Sequence, residues 1–169
     1  MRIMPASDLP ELTRPTFHAG QLLSAEDLHA EQVYQRNRSR LHNRLLHGWG
    51  VVDGLDARSS GGQIIVGPGL ALDPYGDEII LIHETTILPA PGSTGCAARF
   101  VIVRFSETLT DPVIVGDHTE FQRVAHGATI ELVDAAPRGR DGAVAIARLL
   151  WRTAHWRVDA RYRRRRAKR

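Results

Sequence analysis

The chain has 169 residues, of which 43% are hydrophobic and 24% charged, so it is long enough to bury a core without metals or disulfides. Its one cysteine, Cys96, excludes an internal disulfide and is typical of a reducing compartment. The sequence has no apolar run of signal-peptide or membrane-span length. We therefore expect a protein that is made in the cytoplasm and has no membrane span.

The net charge of +3 is unevenly distributed along the chain. The last nine residues, RYRRRRAKR, hold seven of the 22 Lys and Arg residues and no acid. The remainder has 15 basic and 19 acidic residues, so the basic character belongs to the C-terminal end and not to a binding face of the body.

Proline content and periodicity divide the chain into three parts. Residues 1–16 hold three prolines and little periodicity, which predicts an extended N-terminal arm. Residues 17–160 form a single globular domain, and 161–169 form a basic tail of the kind that is usually disordered when free.

One long helix is predicted over about 25–46, near the start of the domain. Ser24 is a suitable N-cap and Asp27 stands three residues later, as in a capping box, while Leu23 and Leu28 fit a hydrophobic staple. Gly48 then supplies the C-terminal stop.

Beyond Gly50 the sequence changes to short β-like runs separated by turn signals. Asp73–Gly76 (DPYG) fits a type I turn that joins LALD to EIILI as a hairpin, and the segment TDP at 110–112 also reads as a turn. No helix-length segment separates the runs, which favours antiparallel pairing over 51–160. The fold class is therefore α+β: one long N-terminal helix leads into a compact, mainly antiparallel β-sandwich or barrel-like domain.

The glycines of GWGVVDG do not form a nucleotide-binding loop. Such a loop follows a strand and opens a helix, whereas here the helix comes first and the strand last. Trp49 is expected to cover this helix-to-strand junction. His42 and His47 are five residues apart and are predicted to lie on different faces of the helix, so they do not form a helical zinc pair.

No motif indicates catalysis, a cofactor or a resident metal. Asp73, Asp77 and Glu78 surround the DPYG turn and could chelate calcium, but EF-hand spacing is absent and solvated turn carboxylates are the commoner case. Cys96 has no nearby histidine and fits a small-residue filler.

Several segments together resemble a group of bacterial proteins associated with phage-tail-like contractile injection systems and tailed-phage baseplates. The matching segments are FHAGQLLSAEDLHAEQVYQRNRSRLHNRLLHGWGVVDGL, VGPGLALDPYGDEIIL, FVIVRFSETLTDPV and AIARLLWRTAHWRVDARYRRR, in that order over about 17–165. Between Pro112 and Ile130 the sequence departs from the family, and DHTEFQRVAHGA reads as a trimmed loop or a different partner contact.

The resemblance implies a non-enzymatic structural subunit or adaptor at or near a baseplate, incorporated into a tail-like particle. Its partners would be other tail or baseplate subunits, with a second copy of the chain as a further partner. Trp, Tyr and Arg dominate interface hot spots, so the predicted interface residues are Tyr34, Arg36, Arg38, Arg40, Arg44 and Trp49.

Two other functions stay open from the sequence. The tail could bind nucleic acid or an acidic protein surface through Arg161, Arg163, Arg164, Arg165, Arg166, Lys168 and Arg169. An enzyme acting on cell-wall glycan would need carboxylates whose pKa values are pushed apart, and nothing in the sequence indicates such a pair.

Overall fold

The computed structural model describes residues 12–90, 98–139 and 141–168. Most of the predicted N-terminal arm, Cys96 and Arg169 lie outside these ranges.

The predicted helix begins as expected and ends in an altered form. Helix α1 spans Ala25–His42, and the capping box is confirmed: the Asp27 amide donates to the Ser24 hydroxyl (3.2 Å) and the Ser24 amide to the Asp27 carboxylate (3.1 Å). The last turn, Asn43–His47, is a π-helix and ends at Gly48, whose φ is +70°. The predicted glycine stop is therefore confirmed, with a wider helical turn immediately before it.

Ten strands follow the helix within the described ranges. They are β1 Gly50–Gly54, β2 Ala57–Ser60, β3 Gln63–Val66, β4 Gly69–Leu72, β5 Glu78–Leu81, β6 Thr85–Ile87, β7 Ala98–Val115, β8 His118–Val133, β9 Ala143–Arg152 and β10 His155–Val158.

All pairs among these ten strands are antiparallel, and the strands form three sheets with the orders β1-β4-β5, β2-β3-β6 and β10-β9-β7-β8. Buried side chains from all three sheets meet in one core, which includes Val51, Ile64, Ile79, Val101 and Leu149. The helix followed by antiparallel sheets is confirmed. Within the described ranges no sheet closes on itself, so the barrel form of the prediction is not confirmed.

Glycine explains why the motifs VVDGL and PGLAL accompany each other. Gly54 pairs with Gly69 where β1 meets β4. A Cβ at Gly54 would lie 2.2 Å from the Pro68 carbonyl oxygen, and one at Gly69 would lie 2.3 Å from the Leu55 amide nitrogen. Only glycine allows the two backbones to approach so closely.

The longest element is the hairpin of β7 and β8, and it corrects two predictions. Its pairing runs from Phe100↔Val133 to Val115↔His118, so the predicted turn at 110–112 lies inside β7. Asp111 takes a positive φ of +55° there, and the strands remain in register on both sides of it. The segment DHTEFQRVAHGA is mostly strand β8 and not a loop, because its backbone pairs with β7.

The predicted DPYG hairpin is confirmed, since β4 pairs with β5 across residues 73–77. The buried Asp73 carboxylate organises this turn: its Oδ1 accepts hydrogen bonds from the amides of Tyr75 (2.7 Å) and Asp77 (2.9 Å). Burial raises the pKa of Asp73, although these hydrogen bonds act in the opposite direction.

Replacing Asp73 tests how this turn is held. Asp73→Ala removes the acceptor of two amides and should lower the free energy of unfolding by about 1–3 kcal/mol. Asp73→Asn keeps one Oδ1 acceptor and should cost much less. Urea denaturation of both variants at neutral pH checks this, and equal losses would contradict it.

The carboxylate of Asp73 also predicts a pH effect. Because the pKa of Asp73 is higher in the folded state, its ionisation opposes folding: its contribution is largest below the unfolded pKa and is lost as pH rises through the folded pKa. The stability of Asp73→Asn relative to the native chain should therefore increase as pH rises across the acid range. Urea denaturation at a series of pH values measures this, and a difference that does not change with pH would contradict the prediction.

Candidate interaction surfaces

Helix α1 is attached to the β-domain by polar contacts along one side. Arg40 Nε lies 2.6 Å from Asp77 Oδ1, and the buried Asn43 side chain donates to the Gly76 carbonyl oxygen (2.9 Å). No residue of α1 is buried, so directional polar contacts and not an apolar face orient the helix.

Gly76 allows this close attachment. A Cβ at Gly76 would lie 2.3 Å from the Arg40 carbonyl oxygen, and its φ of +94° is one that other residues rarely adopt. The glycine of the DPYG turn therefore serves the helix contact as well as the turn.

An open groove of about 630 Å³ separates α1 from the β7–β8 hairpin. Its floor includes Phe105, and Glu107 bridges the groove because its Oε1 lies 3.3 Å from both Arg36 Nη1 and His126 Nε2. The α1 wall carries only the cations Arg36 and Arg40, whereas the opposite wall carries Asp77, Glu78, Glu107 and Arg123. Arginines and carboxylates are equal in number over the whole lining, which gives no strong preference for anions or cations.

Among the exposed large apolar side chains of the described residues, two groups lie on the elements that border the groove. On the outer half of the hairpin, which we call the hairpin arm (residues 106–127), these are Leu109, Ile114, Val115, Phe121 and Val124. Around the start of α1 they are Phe17, Leu22, Leu23 and Leu28. Groups of exposed apolar residues of this kind mark surfaces that bind other proteins.

The predicted interface residues of the helix separate into two groups. Arg36 and Arg40 point to the β-domain and are paired with Glu107 and Asp77. Arg38 is exposed, whereas Tyr34 and Arg44 are half-buried. These side chains therefore do not form one exposed surface.

Trp49 covers the junction, as expected from its position. It packs against the core, and the Arg165 guanidinium carbon lies 4.0 Å from the centre of its ring. Arg165 Nε also donates to the Trp49 carbonyl oxygen (2.9 Å). These contacts give Trp49 a role inside the chain.

The C-terminal segment lies on the domain instead of extending as a free tail. Val51 donates to the Arg165 carbonyl oxygen (2.9 Å) and accepts from the Ala167 amide (3.1 Å), which places residue 166 parallel to β1. Arg164 adds hydrogen bonds to the Leu55 carbonyl oxygen and to Asp56, both 2.8 Å. The segment is held because β1 offers it an open edge.

These contacts divide the predicted cations of the tail. Arg164 and Arg165 are bound within the chain. The side chains of the other described tail cations are exposed: Arg161, Arg163, Arg166 and Lys168.

The prediction that His42 and His47 lie on different faces is wrong. Their Nε2 atoms are 3.3 Å apart, because a π-helix has more residues per turn and brings residues five apart together. His47 Nδ1 donates to the Lys168 carbonyl oxygen (3.1 Å). In the part of the chain that the structure describes, no third His, Cys, Asp or Glu joins them as a metal-ligand group.

The carboxylates considered for calcium have other partners. Asp73 accepts backbone hydrogen bonds, Asp77 pairs with Arg40, and Glu78 lies 3.3 Å from the Asn43 amide. Among the described helices, none is both long and apolar enough to cross a membrane.

Sequence reasoning missed the residues that fix the helix and the C-terminal segment. Asn43 and Gly76 carry no recognisable pairing signal, because they lie 33 residues apart and meet only in the folded chain. Arg164 lies within a run of identical residues, so the sequence does not distinguish it from its neighbours, although it alone donates to the Leu55 carbonyl oxygen.

Replacing single arginines tests the docking of the C-terminal segment. Arg164, whose side chain is only 15% exposed, loses two contacts in Arg164→Ala, which should lower the free energy of unfolding by about 1–2 kcal/mol. The neighbouring exposed Arg163→Ala should change it by less than about 0.5 kcal/mol. Guanidinium denaturation measures both, and identical stabilities would show that the segment is not docked in solution.

Comparison with known proteins finds no matching family model and no matching curated protein. The fold, however, resembles solved structures. A chain of the TssK–TssF–TssG baseplate subcomplex of the type VI secretion system aligns with a TM-score of 0.58 at 15% identity, covering 91% of this chain and 62% of that one. A chain of the baseplate complex from the type VI secretion system aligns with a TM-score of 0.59 at 14% identity, and the alignment covers 92% of this chain and 60% of that one.

The crystal structure of TssK gives a TM-score of 0.56 at 13% identity and covers 88% of this chain and 41% of that one. This chain thus spans less than two thirds of the length of each of these proteins. At such identities the likeness shows a shared fold. The similar structures belong to the baseplate of a phage-tail-like contractile system, which confirms the resemblance predicted from the sequence.

Proposed function

We propose that this chain is a non-enzymatic structural subunit or adaptor of a phage-tail-like contractile injection particle, located at or near its baseplate. The observation that carries the proposal is the fold, which matches baseplate proteins over about nine tenths of this chain. In this proposal the chain is made in the cytoplasm and is incorporated into the particle with other baseplate subunits.

The shape of the molecule supports a role in assembly. The hairpin arm carries aliphatic and aromatic side chains that the described part of the chain leaves exposed, and Ile114 near its tip is 80% exposed. Helix α1 contacts the described part of the β-domain along one side and exposes the other. A rigid β-domain with two such elements can contact more than one neighbour at once.

The other two functions have less support. Arg164 and Arg165 of the tail form hydrogen bonds within the chain, so fewer cations remain to bind nucleic-acid phosphates. For a glycan hydrolase, the raised pKa of Asp73 is the expected sign of a general acid, but its Oδ1 is occupied by the turn amides.

Sedimentation of lysate from the native host tests the assembly role. Mass spectrometry should find the chain in the large-particle fraction together with sheath and tube proteins. Recovery of the chain only at the top of the gradient would contradict the proposal.

A matched pair of variants then tests whether the hairpin arm is the docking surface. Ile114→Asp places a charge on the arm and should reduce incorporation into the particle at least about tenfold, since a buried unpaired charge costs several kcal/mol. The control is Ile82→Asp, because Ile82 is similarly exposed (69%) but lies just after β5. Both variants should melt like the native chain, and equal incorporation would exclude the arm.

A further inference from the structure

Helix α1 and its π-turn present a stripe of residues on a different face from the one that contacts the β-domain. The contacts to the domain come from Arg36, Arg40 and Asn43. Positions spaced by three and four share a helix face. The outer stripe defined in this way consists of Leu28, Glu31, Gln35, Arg38, His42 and Leu45.

The outer stripe is accessible to a partner. Leu28 is 52% and Leu45 39% exposed, and Gln35, Arg38 and His42 are exposed as well. An 18-residue helix with no buried residue is marginal by itself, because most helical stability in proteins comes from packing. The helix therefore gains stability from any partner that covers this face.

The charges along α1 identify an orientation for that partner. Within the outer stripe the acid Glu31 lies in the first half of the helix and Arg38 in the second half, whereas Arg36 and Arg40 are paired with the β-domain and take no part. Two copies packed in parallel would place Glu31 beside Glu31 and Arg38 beside Arg38, whereas two antiparallel copies bring Glu31 near Arg38 of the partner subunit.

Two copies of the outer stripe are complementary when they run antiparallel. When two stripes run antiparallel, Leu28 meets Leu45, Glu31 meets His42 and Gln35 meets Arg38, each twice by symmetry. The layers at both ends are apolar, and the polar layers between them contain no acid–acid or arginine–arginine pair.

We propose that the outer stripe is a self-association surface, where α1 of a second copy of this chain packs antiparallel about a twofold axis. Glu31 of each protomer then lies between Arg38 and His42 of the partner subunit. The hairpin arm is left free, so self-association and docking to other subunits use separate surfaces. This inference does not depend on the proposed function.

Charge reversal in trans tests the proposal with the purified full chain. Glu31→Arg and Arg38→Glu should each raise the dimer dissociation constant about tenfold or more, because each change affects two symmetry-related contacts. An equimolar mixture of the two variants should regain dimers, since Arg at position 31 of one protomer then lies next to Glu at position 38 of its partner, and the native Arg38 next to the native Glu31. Sedimentation equilibrium over a range of concentrations measures the native chain, the two variants and their mixture.

Arg157→Glu on β10 is the control, because this exposed position changes the net charge as Arg38→Glu does and lies outside the outer stripe. It should dimerise like the native chain, and far-ultraviolet circular dichroism should show equal helix content in all variants. A native chain that stays monomeric at concentrations on the order of 100 µM, where a Kd in the micromolar range would give dimers, overturns the proposal. A mixture no tighter than its two components overturns it as well. Equal weakening by Arg157→Glu would also overturn it, because the effect would then come from net charge.

Discussion

The contact between the end of helix α1 and the β4–β5 turn fixes the position of α1 on the β-domain. It is polar throughout: Asn43 donates to the Gly76 carbonyl oxygen, Arg40 pairs with Asp77, and Gly76 lets the two backbones touch. Polar contacts of this kind hold a direction more strictly than apolar packing does. The groove between α1 and the β7–β8 hairpin and the exposure of the outer stripe both follow from that direction.

Features that depend on neighbours in sequence were predictable. The capping box of Ser24 and Asp27, the stop at Gly48 and the hairpin around Asp73 each need only a few adjacent residues, and each is present as expected. The resemblance to baseplate proteins also came from the sequence, because its motifs combine such signals with the paired glycines of β1 and β4.

Features that depend on distant pairing could not be predicted. Pro112 reads as a turn residue, yet β8 holds it in the middle of a strand pair. Thr153 and Ala154 form the β9–β10 turn with positive φ and without the usual glycine or asparagine. The π-turn that joins His42 to His47 likewise has no local signature. The candidate surfaces could not be predicted for the same reason, because the exposure of Ile114 and the burial of Arg164 depend on tertiary contacts.

The pairing of Val51 with residues 165–167 has a consequence for how the chain folds. It joins the first strand to residues that follow β10. A long loop must therefore close before the edge of β1 is covered, and closing that loop costs conformational entropy. On the ribosome the strands up to β10 can assemble while that edge is still open. Until residues 165–167 emerge and pair with Val51, the unpaired edge of β1 can pair with strands of other chains.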